Sequence, residues 1–277
     1  MFDDYPPLEL LKTVETRVPC GCEMMEDIHC ANGQEDMDSW PEWCYAPLAA
    51  AVCVALFEGD LGCKNPEEIM ECALSLGKKL FAVAPWKRRK TVYMLEPALA
   101  DYVLKNRVIL ARVPSMDLVH LPYASFYLQV DFLGTDKYPV HGAFLTLECD
   151  PGTERKECRV LFLYNDDTWS SYALEMGERS VFGSIQAVLD ERQEQANRLR
   201  AAGEACEFGE EHYCQVRKQL EGTMQLAFFL CLRYSSLGHV LVLHLGEIKL
   251  RENKAIKKEY DIISYNDKKL GESKINL

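Results

Sequence analysis

The stretch "GAFLTLECDPGTERKECRVLFLY", residues 142–164, decides the fold. Two apolar runs alternate in character, and between them lies Asp-Pro-Gly at 150–152, a tripeptide that favours a tight turn. Successive side chains of a strand point to opposite faces. Ala143, Leu145 and Leu147 are therefore expected on one side, Leu161 and Leu163 on one side, and Phe162 and Tyr164 on the other. The pattern predicts an antiparallel hairpin.

Neighbouring segments extend it. In "VPSMDLVHLPYASFYLQVD", 113–131, two runs flank a Leu-Pro break, and Ala124, Phe126, Leu128 and Val130 would share one strand face. "SYALEM", 171–176, offers another short strand. These runs predict a meander of about five strands, antiparallel because the connections are too short for crossover helices.

Helices are expected on both sides of the meander. "APLAAAVCVALF" reads as a helix buried on most sides. Asn65 caps the next, with Pro66 at its first position, and Pro85 is expected to end it. "LEPALADYVLKN" reads as a third helix, starting at Pro97. Beyond the sheet, Val181, Ile185, Val188 and Leu189 open a helix. Val216, Leu220, Met224, Ala227, Phe228 and Cys231 line another over about 210–233. Residues 239–245 read as one more strand. The fold class is α+β, helices flanking an antiparallel meander. Residues 1–43 form an acidic, Cys-containing N-terminal segment, irregular after a short helix at 7–14. Residues 44–277 form one domain: helical over 44–107, sheet over 108–177, helical over 178–235, and a short tail over 236–277.

Composition narrows the function. The 277 residues are 48% hydrophobic and 27% charged, with a net charge of −12. That balance argues against direct DNA binding and against anionic membrane surfaces, which need excess Lys and Arg. Residues 1–45 hold eleven acidic and two basic side chains. The chain opens on "MFDDYPPLEL", without a basic start and apolar core, so its twelve cysteines are expected to be reduced, in the cytoplasm. The most apolar stretch is interrupted by Arg233 and Tyr234, and neither half reaches the roughly 20 residues that span a bilayer.

Chemistry-bearing motifs are sparse. There is no phosphate-binding loop, dinucleotide fingerprint or H-E-x-x-H helix, and no cofactor is expected. Cys20, Cys22, His29 and Cys30 in "CGCEMMEDIHC" are the one dense set of zinc-type ligands, at a spacing unlike the common CxxC pairs. "YNDD", 164–167, reads as a turn, since adjacent acids on a strand would face opposite ways. "PWKRRK", 85–90, is either a basic binding run beside Trp86 or a salt-bridged connection.

The order of several blocks resembles the second family of type V-A anti-CRISPR proteins. Trp86, Lys87, Tyr93, Leu95, Glu96 and Leu99 match one block; Pro114, Ser115, Leu121, Pro122, Tyr127 and Val130 match the next. "HGAFLTLECD", "RVLFLYNDD", "ALEMGERSVFGSIQAVLD", "MQLAFFLCL" and "IISYNDKKLGESKI" follow in the family's order, so that the likeness covers about 44–275. The chain departs from the family at Tyr123, Ala124, Ser125 and Phe126, where Trp-Cys is usual. The resemblance implies a non-enzymatic anti-CRISPR inhibitor in the cytoplasm of a bacterial host. It would recognise the N-terminal segment of the nascent type V-A effector nuclease on the translating ribosome and lower its production by transcript loss.

For that role Trp86, Tyr93, His120 and Tyr127 are the candidate peptide-binding residues, since aromatics are the usual anchors of peptide interfaces. The alternative for Trp86 and Tyr93 is that they are core residues. Two other functions remain open: a metal-dependent nuclease or hydrolase built from scattered carboxylates, His141 or cysteines, and a zinc-containing interaction module at 20–30.

Overall fold

The computed structural model describes residues 5–34, 39–63, 65–95, 97–105, 110–206, 208–234, 249–252 and 262–266; for 231–234 and the last two stretches only the backbone is described. The strand expected at 239–245 lies outside the described residues.

The hairpin forms as its alternation predicts. Strands β3 (Val140–Cys149) and β4 (Lys156–Tyr164) pair antiparallel, Phe144 opposite Leu161 and Leu145 opposite Val160. Asp150 closes the turn, accepting from Gly152 N at 2.9 Å and from the Thr153 hydroxyl at 2.9 Å. On one side β3 pairs with β2 (Ser125–Gln129); on the other β4 pairs with β5 (Trp169–Glu175), all antiparallel. The far side is not a meander. The short β1 (Val92–Leu95) lies parallel to β2 and also parallel to β7 (Ile262–Asn266), which β6 (Lys249–Glu252) borders. The sheet order is β5-β4-β3-β2-β1-β7-β6. The architecture is α+β, a mostly antiparallel sheet flanked by helices.

Helices cover both faces. On one lie α1 (Pro6–Arg17), α2 (Gly21–Ala31), α3 (Leu48–Glu58) and α4 (Pro66–Lys87), packed around Trp86, Tyr127, Phe144, Leu161 and Leu163. On the other lie α5 (Pro97–Lys105), α6 (Val181–Ala201) and α7 (Glu210–Tyr234), packed around Tyr93, Phe126, Leu145, Val160 and Phe162. This explains the pattern on β3: with helices on both sides, both sets of alternate residues are buried.

Four local expectations change. The run before Leu121 is a 3-10 helix, Ser115–His120, and not a strand. Its first two N–H groups are taken by the carbonyls of Arg179 and Gly177, so they cannot enter a ladder. Pro85 does not end α4, which runs to Lys87. A proline so near a helix end removes a single hydrogen bond, and burying Trp86 against Phe144 at 5.3 Å outweighs that loss. The region after residue 17 is not irregular: α2 buries Cys22 and Met25 at helical spacing against the α1–α4 layer. Strand β1 lies within the stretch read as helical.

The connecting segments are specific as well. Asn65 caps α4, its side chain accepting from Glu67 N at 3.1 Å. The first two residues of the basic run after Trp86 form ion pairs, and Arg89 stands over the Tyr123 ring, 5.1 Å from its centroid. Lys87 reaches Glu15 and Glu23, each at 2.9 Å, and Arg88 reaches Glu26 at 3.4 Å, which ties α1 and α2 to the end of α4.

Candidate functional site

A groove lies on the α1–α4 face, between α1, α4 and the β4–β5 turn. One hollow of about 500 Å³ is bounded by Glu9, Leu10, Lys79, Tyr164, Asp167 and Trp169. A second of about 240 Å³ is bounded by Arg17, Glu71, Cys72 and Ser75. Thr13 and Lys79 line both, so the two run into one another.

Each wall has a sequence cause. Pro6 and Pro7 start α1, which buries Leu10, Leu11 and Val14 and turns Glu9 and Thr13 towards the groove. The turn after β4 is held by Asp166, which accepts from Thr168 N at 3.1 Å and from the Thr168 hydroxyl at 2.5 Å; these bonds hold its carboxyl below the usual range. Asp167 takes a positive φ of 62° there, and the chain leaves with Trp169 at the mouth. The Lys79 ammonium stands over the Trp169 ring, 4.9 Å from its centroid, and burial, with Arg17 nearby, lowers its pKa. The groove therefore offers a flat aromatic face, a partly desolvated cation and acidic groups at its edge. Such a mixture suits a short extended peptide, whose apolar side chains need a flat seat and whose charged ends need partners.

The residues named from sequence fall elsewhere. Trp86, Tyr93 and Tyr127 are 0% exposed. Trp86 donates through Nε1 to Thr91 O at 2.8 Å; Tyr93 packs edge-on to Phe126 at 5.2 Å; Tyr127 packs against Phe144 at 4.9 Å. They hold the helical layers onto the sheet and present no surface. His120 is exposed at the end of its 3-10 helix, apart from that cluster. Trp169 and Lys79 went unread. The signal for Trp169 was an aromatic heading "WSSYALE", at the exit of a turn already recognised.

The N-terminal Cys/His set does not converge. Cys20 and Cys30 are exposed and Cys22 is buried, where desolvation pushes its thiol up to about 11. His29 stacks on Tyr45 at 4.3 Å, with Nδ1 2.8 Å from Tyr45 O. Among the described residues no group of three or more His, Cys, Asp or Glu is placed to hold a metal ion.

The buried carboxylates are paired with guanidinium groups. Glu148 and Glu157 face one another across β3 and β4, and Arg159 binds both, reaching Glu157 Oε2 at 2.6 Å; Arg155 adds a bond of 2.8 Å to Glu157. Glu148 also accepts from Leu48 N at 3.2 Å, which anchors the start of α3. Among the described residues no helix is long and apolar enough to cross a membrane.

Comparison with known proteins agrees with the fold. The model of the AcrVA2-like family, described as the anti-CRISPR type V subtype A2 family, matches residues 93–242. A solved structure described as the crystal structure of AcrVA2 superposes with a TM-score of 0.58 at 12% sequence identity, over 94% of this chain and 84% of that one. No curated protein matches the sequence.

Proposed function

The chain belongs to the AcrVA2-like family, the anti-CRISPR type V subtype A2 family, and from that premise we propose that it is a non-enzymatic adaptor whose groove takes the N-terminal segment of a type V-A effector nuclease. In this reading the segment is bound as it leaves the ribosome in the host cytoplasm, and the effector's production falls through loss of its transcript. The observation that carries the reading is the groove itself, with Lys79 held over Trp169 beside α1.

Trp169 supplies the seat for an apolar side chain. Lys79 and Arg17 attract carboxylate or backbone oxygen, and Glu9 and Asp167 attract the peptide's cationic groups, its α-amine included. Both acid and base at the groove select against uniformly charged segments. Engagement of the buried carboxylates by Arg155 and Arg159 also favours an adaptor over a carboxylate-based hydrolase.

A cellular experiment tests the reading. A reporter carrying the effector's N-terminal segment is co-expressed with the protein, beside the same reporter without the segment. The expected outcome is selective loss of the tagged reporter and its transcript. Equal levels of both would contradict the proposal.

A further inference from the structure

The loop between α3 and α4 brings two thiols together. Cys63 Sγ lies 2.8 Å from Cys72 Sγ and 3.1 Å from Leu61 O. The contact is built by the surrounding backbone. Asp60 N donates to Arg17 O at 2.8 Å, and the Arg17 guanidinium donates twice to Asp60 O, at 3.0 Å and 2.8 Å, so the end of α1 clamps the loop. Gly62 then turns the chain with a φ of +65°, a conformation that glycine adopts without strain. Cys72 sits on α4, whose start is fixed by the Asn65 cap and by Pro66. Both cysteines are partly exposed. Other described cysteine sulfurs find different partners: Cys44 contacts Ala46 O at 3.5 Å, and Cys30 contacts Glu26 at 3.9 Å.

We propose that Cys63 and Cys72 form an oxidisable dithiol site that closes to an intramolecular disulfide when it meets a hydroperoxide. A covalent S–S bond of about 2.05 Å requires the sulfurs to approach by less than one further ångström. The reaction has two steps. One thiolate attacks the outer peroxide oxygen; the O–O bond breaks, and the sulfur leaves as a sulfenic acid while the remaining oxygen takes a proton as alcohol or water. The second thiolate attacks that sulfenic sulfur; the S–O bond breaks and the hydroxyl leaves as water. The two thiols lose two electrons and two protons, and the peroxide gains them. The product staples the α3–α4 connection to the side of α4, beside the hollow that Cys72 lines. The proposal holds whatever the groove binds.

The test uses the full-length reduced protein, treated with equimolar hydrogen peroxide, blocked with iodoacetamide and digested without reductant. The expected result is one cross-linked pair of peptides containing Cys63 and Cys72, lighter by two hydrogens and released by dithiothreitol. Exposed Cys53 and Cys214 should be found alkylated in the same digest. The melting temperature should rise on oxidation in the wild type only. Cys63→Ser and Cys72→Ser should each melt at the wild-type temperature when reduced and show no rise with peroxide. Recovery of both cysteines alkylated after treatment would overturn the proposal. So would separate over-oxidation of each, or a bridge from Cys63 to any other cysteine.

Discussion

Tyr127 Oη lies 2.6 Å from His141 Nδ1, with the phenol fully buried and the imidazole partly buried beside it. Tyr5, at the start of α1, covers the pair edge-on, 5.2 Å from the His141 ring, and its hydroxyl reaches Gln129 Oε1 at 3.2 Å. The pair thus joins the N-terminal helix to the middle of the sheet. Burial lowers the His141 pKa, and the charge of Asp131 opposes the shift only in part.

That lowered pKa sets a pH dependence. A histidine with a folded pKa below its unfolded value of about 6.5 contributes stability that is complete above that value. The contribution is lost as pH falls through the folded pKa. Melting temperatures measured from pH 8 to pH 5 should therefore fall with acid, and His141→Gln should flatten the lower part of that profile. An unchanged slope in the variant would show that His141 is not the titrating group.

Gly142 makes room for the same pair. A Cβ built there would overlap Tyr127 Oη and lie 2.7 Å from Leu128 O. Neither a fully buried ring nor a strand carbonyl can retreat cheaply. Gly142→Ala should cost about 1–3 kcal/mol, the range for overpacking a close-packed interior, measured by urea unfolding. A neutral result would mean that β2 and β3 separate more readily than their ladder suggests.

Arg159 compensates two buried acids at once. Burial raises the Glu157 pKa, and the Arg159 guanidinium opposes it. Arg159→Met would leave Glu148 and Glu157 without their shared partner, a loss of about 3–5 kcal/mol for a broken buried pair. A carboxyl with a raised folded pKa stabilises most below its unfolded pKa and loses that contribution as pH rises through the folded value. The deficit of the variant should therefore shrink at pH 5 relative to pH 8. Equal deficits at both pH values would indicate that lost packing, and not stranded charge, is the cause.

Trp86 and Trp169 separate structure from recognition. Trp86→Ala removes a fully buried ring and should cost about 3–5 kcal/mol of stability. Trp169→Ala removes a partly buried ring at the groove mouth, packed on the edge of the core, and should lower the melting temperature far less than Trp86→Ala. Thermal melts of both variants check this, and a large drop for Trp169→Ala would make that ring part of the core.

What the sequence revealed was local. The β3–β4 hairpin was legible because alternation and Asp-Pro-Gly sit in one window, and the α4 cap because Asn65 and Pro66 adjoin. The 3-10 helix before Leu121 was not, because carbonyls of Arg179 and Gly177, sixty residues on, take its N–H groups. Strand β1 was missed for a similar reason: four residues after a basic run show no period, and the strands that pair with them, β2 and β7, lie far along the chain. The site was least legible. An aromatic residue type says nothing about which layer buries it, so Trp86 and Tyr93 read as either anchors or core and Tyr127 as an anchor; all three are buried in the core. Lys79 and Trp169 are ninety residues apart and meet only because α4 passes the β4–β5 turn.

The central claim is that the groove binds the effector's N-terminal segment, and isothermal titration of the purified protein with a synthetic peptide of that segment tests it most directly. The account predicts a saturable heat with one peptide per chain, weakened by about 2 kcal/mol or more in Trp169→Ala, the threshold for an interface anchor, and also weakened in Lys79→Met. It would be contradicted by an absence of heat with folded wild-type protein at high peptide concentration, or by wild-type binding in both groove variants.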